Sequence, residues 1–307
     1  MAEIQPEGIL PLLKPAGMTS HDCVAKLRKI LRTKKVGHTG TLDPEVTGVL
    51  PVCVGRATKI AQYMSDYPKS YQAEAMIGKA TATEDAHGDV VEDKPVPEGL
   101  SAQAVKDALA ALTGRIMQVP PMFSAVKVNG KKLYQYAREG IEVERPARET
   151  TIYELNLLSE ETHFFGPYPV FPFFVSCSKG TYVRTLAVDI GKKLGYPAHM
   201  SHLVRTSSGP FTMEECFTFE QIEQAVQEGN MNGLFLPIEK AIAHFDSIIC
   251  DDEMEMRMKH GAVLPMVSGV QNSPFAVYNK NGACIALYKQ HPDKPGMMKP
   301  EKILAVE

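Results

Sequence analysis

One carboxylate in this sequence is set apart by its surroundings. Asp43 lies in VGHTGTLDPEVTGVLPVCVG, residues 36–55, among small and turn-forming residues. Pro44 fixes the chain directly after the acid and biases Asp43 itself toward an extended backbone. The apolar run from Val49 to Val54 reads as a buried strand, so the loop has a rigid support. A lone acid held in this way suits a nucleophile or an electrostatic stabiliser of positive charge. An Asp-Pro turn without chemistry is the competing reading. A second candidate is Arg184 in SKGTYVRTLAV. Tyr182 and Arg184 sit two apart, and on an extended segment both would point the same way. An arginine there would keep a carboxylate such as Asp43 ionised and oriented. Asp85, His87 and Asp89 have metal-ligand chemistry, but His87-Gly88-Asp89 reads as a turn, and no metal site is expected. His199 and His202 form an HxxH without an evident third ligand.

The elements around these residues follow from local pattern. Ile9 to Leu13 reads as a short strand, and Lys14-Pro15-Ala16-Gly17 as a turn. Ser20 suits the N-cap of a helix over roughly residues 21–33, with Val24, Leu27 and Leu31 on one face. Lys26, Arg28, Lys29, Arg32, Lys34 and Lys35 place six positive charges between Cys23 and Leu42 with no acid among them. Such a block leading into the Asp43 loop suits phosphate contact. Arg56 to Lys59 opens a helical stretch ending near Asp66. Tyr71 to Ile77 alternates as a strand, with Tyr71, Ala73, Ala75 and Ile77 on one side. Ala104 to Thr113 reads as a helix stopped by Gly114.

VPPMFSAVKVNGKKLYQYAREGIEVERP follows, with a VNG turn and cations interleaved with Phe123, Tyr134 and Tyr136. Aromatics stack on bases while cations track phosphates, so the mixture suits RNA; an ordinary hairpin and helix is the competitor. Phe171 to Ser178 reads as a central strand, and the next helix closes at Gly195. Thr218 to Glu228 is a further helix. From about His244 the texture changes. PFAVYNKNGACIALYKQ reads as a hairpin on an Asn-Gly turn, and 303–306 as one more strand, together a small β module.

The chain has 307 residues, 44% hydrophobic and 22% charged, which is ordinary for a soluble globular protein of one large and one small domain. No apolar run approaches a membrane span, and the first residues lack the pattern of a secretory signal. The six cysteines are scattered without a CxxC pair, which argues against a zinc site and fits a reducing cytoplasm. A net charge of −3 excludes a uniformly basic nucleic-acid binder but not a local basic surface.

Seven ordered segments carry a resemblance: KPAGMTS, GHTGTLDPEVTGVLPVCVGRATK, KSYQAEAMIG, TATEDAHGDVV, PPMFSAVKVNGKKLYQYAREG, CSKGTYVRTLAVDIGKKLG and HMSHLVRTSSGPF. In this order they resemble the TruB-type tRNA pseudouridine synthases, which isomerise the uridine at position 55 in the T loop. The resemblance implies an α/β (α+β) catalytic domain with a curved mixed β-sheet over 1–243. It includes an RNA-binding thumb at 120–148, and a PUA-like RNA-binding module follows at 244–307. Two departures stand out. Val46 replaces a usual alanine, and Val204 replaces a usual arginine, which leaves Arg205 to keep a phosphate contact.

The resemblance implies that Asp43, Tyr71 and Arg184 are catalytic. Asp43 is the carboxylate facing the sugar, Arg184 holds it, and Tyr71 stacks on the base. His38 fills the space left by a flipped base, and Tyr182 and Leu203 wall that base. Lys14 and Pro15 support the loop, Lys59 meets the RNA backbone, and Asp85 completes the substrate-binding set. No cofactor or metal is implied, because the isomerisation is redox-neutral and loses no group. The implied partner is the T stem-loop of tRNA, with no membrane and no obligate protein partner, and the chain acting as a monomer. The alternatives from other classes are a tRNA-folding chaperone without catalysis and a metal-dependent hydrolase built on Asp85, His87 and Asp89.

Overall fold

A computed structural model describes residues 6–304. The chain divides into two compact units. Unit 1 comprises Met1–Glu45, Val49–Ser65 and Pro210–Glu307, and unit 2 comprises Val46–Gly48 and Asp66–Gly209.

Unit 1 begins with β1 (Gly8–Lys14), α1 (Ser20–Ile30), β2 (Val36–His38) and β3 (Thr47–Val54). A 3-10 turn (Gly55–Ile60) and the short α2 (Ala61–Met64) follow. Every β3 residue after Thr47 is buried, which explains its unbroken apolar sequence: a strand covered on both faces has no polar side to alternate with. β3 pairs with β1 and, antiparallel, with β2. Thr19, not the expected Ser20, caps α1, in a capping box with Asp22. Ser20 is buried and spends its hydroxyl on the Asp43 loop instead. Leu10 and Leu12 from β1, Leu27 from α1, and Leu50 and Val52 from β3 form the local core. Burial of each such side chain contributes roughly 2 kcal/mol.

Unit 2 follows with β4 (Lys69–Ile77), β5 (Lys79–Thr81), β6 (Val90–Asp93), β7 (Leu100–Ser101), α3 (Ala102–Ala110) and β8 (Gly114–Gln118). Next come β9 (Lys127–Val128), β10 (Lys131–Lys132), α4 (Leu133–Arg138), β11 (Arg148–Leu157), β12 (His163–Phe164), β13 (Val170–Cys177), α5 (Val183–Leu194) and β14 (Ala198–Ser208). The sheet of this unit runs β14-β4-β13-β11-β8, antiparallel throughout. Thr47 and Gly48 add to its edge in parallel against Val204 and Arg205, which makes the sheet mixed. The expected VNG turn joins β9 to β10, with Asn129 and Gly130 at φ 50° and 81°, the geometry that a two-residue hairpin demands. The inward face of β4 is the predicted set Tyr71, Ala73, Ala75 and Ile77, all buried. α5 packs on β14 and β4, and Gly195 ends it at φ 82°.

The chain then returns to unit 1 with β15 (Phe211–Thr212), α6 (Phe219–Gln227), α7 (Ile238–Ile242), β16 (Ser247–Ile249) and α8 (Asp252–Lys259). It finishes with β17 (Leu264–Pro265), β18 (Phe275–Tyr278), β19 (Cys284–Gln290) and β20 (Met297–Ile303). The last strands form a five-stranded sheet, β16-β18-β19-β20-β17, around its own cluster of Phe275, Val277, Tyr288 and Met298. The Asn-Gly turn between β18 and β19 is where the sequence puts it. The strand expected over 303–306 is in fact the end of β20 at Ile303, and its last two residues lie outside those described.

Candidate active site

In unit 1, Asp43 sits half-buried in an irregular loop between β2 and β3. Its two backbone neighbours are pinned from opposite sides. Leu42 N–H donates to Ser20 Oγ at 2.9 Å. The Lys14 amine, fully buried, donates to the Pro44 carbonyl at 2.8 Å and to the Pro15 carbonyl at 2.9 Å. An ammonium without water around it makes strong bonds to carbonyl dipoles, so the backbone on each side of the carboxylate is fixed. Thr39 adds a third tie, its hydroxyl donating to Pro51 O at 3.2 Å, and Arg28 a fourth, to Val36 O at 2.9 Å. His38 lies at the head of this loop, edge-on to His21 with ring centroids 5.2 Å apart. Lys59 is exposed, and its amine donates to Ile303 O at 2.6 Å.

In unit 2, Tyr71 and Arg205 are directly opposed across β4 and β14, as are Ala73 and Leu203. Opposed residues share a face, so Tyr71, Leu203 and Arg205 point to one side of the sheet, and all three are buried. Arg205 is 1% exposed, so the expected phosphate contact from this residue is corrected: its guanidinium is enclosed in the protein. Lys69, on the same face of β4, has its amine pKa pushed down to about 8 by burial and then by the charge of Arg205.

Tyr182 caps α5 and Arg184 lies in its first turn. The expectation that both point alike from an extended segment fails, because the helix begins at Val183 and Arg184 lies within it, beyond the extended Tyr182. Arg184 is buried, and its two terminal nitrogens donate to Thr83 O and Phe123 O, each at 2.9 Å. One guanidinium thereby joins the loop before β6 to the segment leading into the β9–β10 hairpin. Asp85 spends Oδ1 on the Thr83 hydroxyl at 2.6 Å and the His87 N–H at 3.0 Å, an Asx turn that shapes its own loop. Among the described residues, no group of histidines, cysteines and carboxylates is arranged to hold a metal.

Three residues, one in unit 1 and two in unit 2, were not legible in the sequence. Ser20 passes for a helix cap. Glu84 stands beside the conspicuous Asp85, yet it is Glu84 that adopts φ 63° and accepts from the Thr185 hydroxyl at 2.6 Å. Burial raises its carboxyl pKa above the usual range, opposed by the Thr185 bond. Gln118 looks like one polar residue on an edge strand, but it is buried against Tyr182. None has a local signal, since each partner is distant in the chain.

Comparison with known proteins bears on the whole chain. The family description "TruB family pseudouridylate synthase (N terminal domain)" matches residues 28–183. "tRNA pseudouridylate synthase B C-terminal domain" matches residues 184–243. The chain is 59% identical over 298 residues, 97% of both chains, to the tRNA pseudouridine synthase B of Halalkalibacterium halodurans. It is 55% identical over the same shares to that of Bacillus cereus. Among solved structures, a chain of "Crystal Structure of a Cbf5-Nop10-Gar1 Complex" superposes with a TM-score of 0.75 at 29% identity, covering 99% of this chain and 86% of that one. The ordered motifs, the mixed sheet and near-full-length identity agree, and the chain belongs to the TruB family of pseudouridylate synthases.

Proposed function

We propose that this chain converts uridine to pseudouridine at position 55 in the T loop of tRNA, with Asp43 as the catalytic carboxylate. The observation that carries the reading is the pinned Asp43 loop, with Leu42 and Pro44 each tied to a buried side chain. The two relatives' names supply the substrate class. The reaction breaks the N1–C1′ bond, turns the uracil, forms C5–C1′ and moves the C5 proton. Atoms and electrons are conserved, so the protein must supply only charge, orientation and a proton path. Breaking the glycosidic bond builds positive charge on the ribose, which a fixed carboxylate stabilises, as nucleophile or as ion partner.

In this reading Arg184 holds Asp43 by a charge-assisted bond, and Tyr71 stacks on the base. Tyr182 and Leu203 wall the base, and His38 occupies the place it leaves. Flipping the uridine costs a few kcal/mol, offset by pocket contacts. Lys14 and Pro15 act on the loop rather than on RNA. Lys59 and Asp85 meet substrate only if they give up the bonds they now make. Residues 1–243 form the catalytic part, with 120–148 as the thumb, and 244–307 the PUA-like RNA-binding module. The thumb's Lys131 and Lys132 lie over the Tyr136 and Tyr134 rings at 4.8 and 5.6 Å, a surface suited to bases and phosphates. The enzyme works as a cytoplasmic monomer. No helix among the described residues is long and apolar enough to cross a membrane.

Asp43→Asn is expected to fold, to bind a tRNA transcript as the parent does, and to make no pseudouridine detectable by mass spectrometry of the treated RNA. Product at the parental rate refutes the assignment. A parent protein that speeds tRNA folding but forms no product leaves the chaperone reading in its place.

A further inference from the structure

Gln118 ends β8 and is 2% exposed. Its side-chain amide meets both backbone polar groups of one distant residue. Oε1 accepts from Tyr182 N–H at 3.0 Å, and Nε2 donates to Tyr182 O at 3.3 Å. Tyr182 has extended backbone, φ −98° and ψ 109°, and caps α5 without a capping side chain of its own. The amide therefore does for Tyr182 what a neighbouring strand does for a strand residue, one donor and one acceptor at a time. The Tyr182 carbonyl also accepts the first helical bond, from Leu186 N–H at 3.0 Å. With both polar groups held, the Cα–Cβ direction of Tyr182 is fixed, and so is the origin of its ring. The next turn is tied down separately, by Arg184 to Thr83 and Phe123 and by Thr185 to Glu84.

We propose that Gln118 is a positioning residue for Tyr182, setting the aromatic wall against which the uracil is held during turnover. The inference rests on the placement of Tyr182 at the base under Proposed function. Gln118 touches no substrate and acts through the Tyr182 backbone. A loss of orientation there slows the chemical step more than it weakens RNA binding, since binding draws on many other contacts.

The experiment is single-turnover kinetics on a T stem-loop transcript with Gln118→Met, Tyr182→Ala and the double variant, alongside transcript affinity and thermal unfolding. Gln118→Met keeps the length and removes both hydrogen bonds. It is expected to lower the single-turnover rate about tenfold with affinity changed less than about twofold. In the Tyr182→Ala background the same change is expected to cost less than about twofold, the signature of action through Tyr182. Gln118→Glu is the second variant and carries the test if the methionine variant does not fold. Its protonated acid has a C=O acceptor and an O–H donor, whereas its carboxylate opposes the Tyr182 carbonyl. Its rate relative to the parent is therefore expected to rise as pH falls.

A Gln118→Met rate equal to the parent's overturns the inference. So does an equal loss with and without Tyr182, or a Gln118→Glu rate that tracks the parent at every pH. Tyr182→Ala at the parental rate overturns the placement of Tyr182 and the inference with it. A slow Tyr182→Ala beside an unaffected Gln118→Met overturns the inference alone.

Discussion

Replacing Gly48 by alanine tests the joint at which the strand following the Asp43 loop meets β14. Gly48 holds φ +113°, and a Cβ placed there falls 2.2 Å from Arg205 O, 2.7 Å from Arg205 N and 2.9 Å from its carbonyl carbon. Real Cβ contacts essentially never fall below 3.0 Å, and all three atoms are backbone, so no rotamer relieves the clash. The strands must part by the better part of an ångström. The disallowed φ costs about 1–3 kcal/mol. The parallel pairing spans only two register pairs, Val204 with Thr47 and Arg205 with Gly48, so opening it forfeits one or two hydrogen bonds at about 1 kcal/mol each. Gly48→Ala is therefore expected to lose roughly 2–5 kcal/mol, a large share of the 5–15 kcal/mol typical of a folded domain. Urea denaturation by circular dichroism measures the loss, and pseudouridine formation by the folded fraction measures the consequence. Asp43 stands five residues upstream, so the folded fraction is expected to be at least tenfold slower, about the effect of a misplacement of this size. A variant within 1 kcal/mol of the parent and equally active would refute the argument, because it would mean that the strands yield without cost.

Lys14→Met removes two charge-assisted bonds at about 1.5–3 kcal/mol each, but it also lifts the desolvation cost of a buried ammonium, several kcal/mol. These offset, so stability in urea is expected to change by less than about 2 kcal/mol, while the freed Pro44 carbonyl lowers the single-turnover rate tenfold or more; an unaltered rate would show that the bond to Pro44 does not hold the loop for catalysis. Lys69 gives a pH test. Its pKa falls from 10.5 to about 8 on folding, through burial first and the Arg205 charge second. Between those values the unfolded chain binds more protons, so stability rises with pH across the window, while below about 8 the full penalty stands. Relative to Lys69→Met, the parent is expected to gain up to about 3 kcal/mol between pH 8 and 10.5, and a difference that stays flat with pH would count against a strained charge at this position.

Legibility in the sequence tracked the range of the interaction. The alternation of Tyr71 to Ile77, the Asn129-Gly130 and Asn281-Gly282 hairpins and the Gly195 helix stop are set by neighbours in the chain, and the structure has each of them. Local rules misled where a distant partner competed for the same atoms. Ser20 has the chemistry of an N-cap, yet Leu42 claims its hydroxyl and Thr19 takes the cap. Arg184 reads as part of an extended run because TYV favours strands, yet the helix starts one residue earlier. The resemblance leaves Arg205 a phosphate contact, whereas its register against Tyr71 and Gly48 places it inside. The Gln118 amide and the Glu84 carboxylate have no local pattern at all, since their partners lie 64 and 101 residues away.

The turn that follows β3 is gripped from far along the chain. Arg56 donates to Leu304 O at 2.6 Å across a separation of 248 residues, and Lys59 reaches Ile303. A ribosome adding about 5–20 residues each second therefore makes Arg56 some tens of seconds before its carbonyl partner exists. Glu7, already synthesised, is an ion partner available to Arg56 from the start of that interval. This pair can form early and keep the turn in register until translation delivers the strand that locks it.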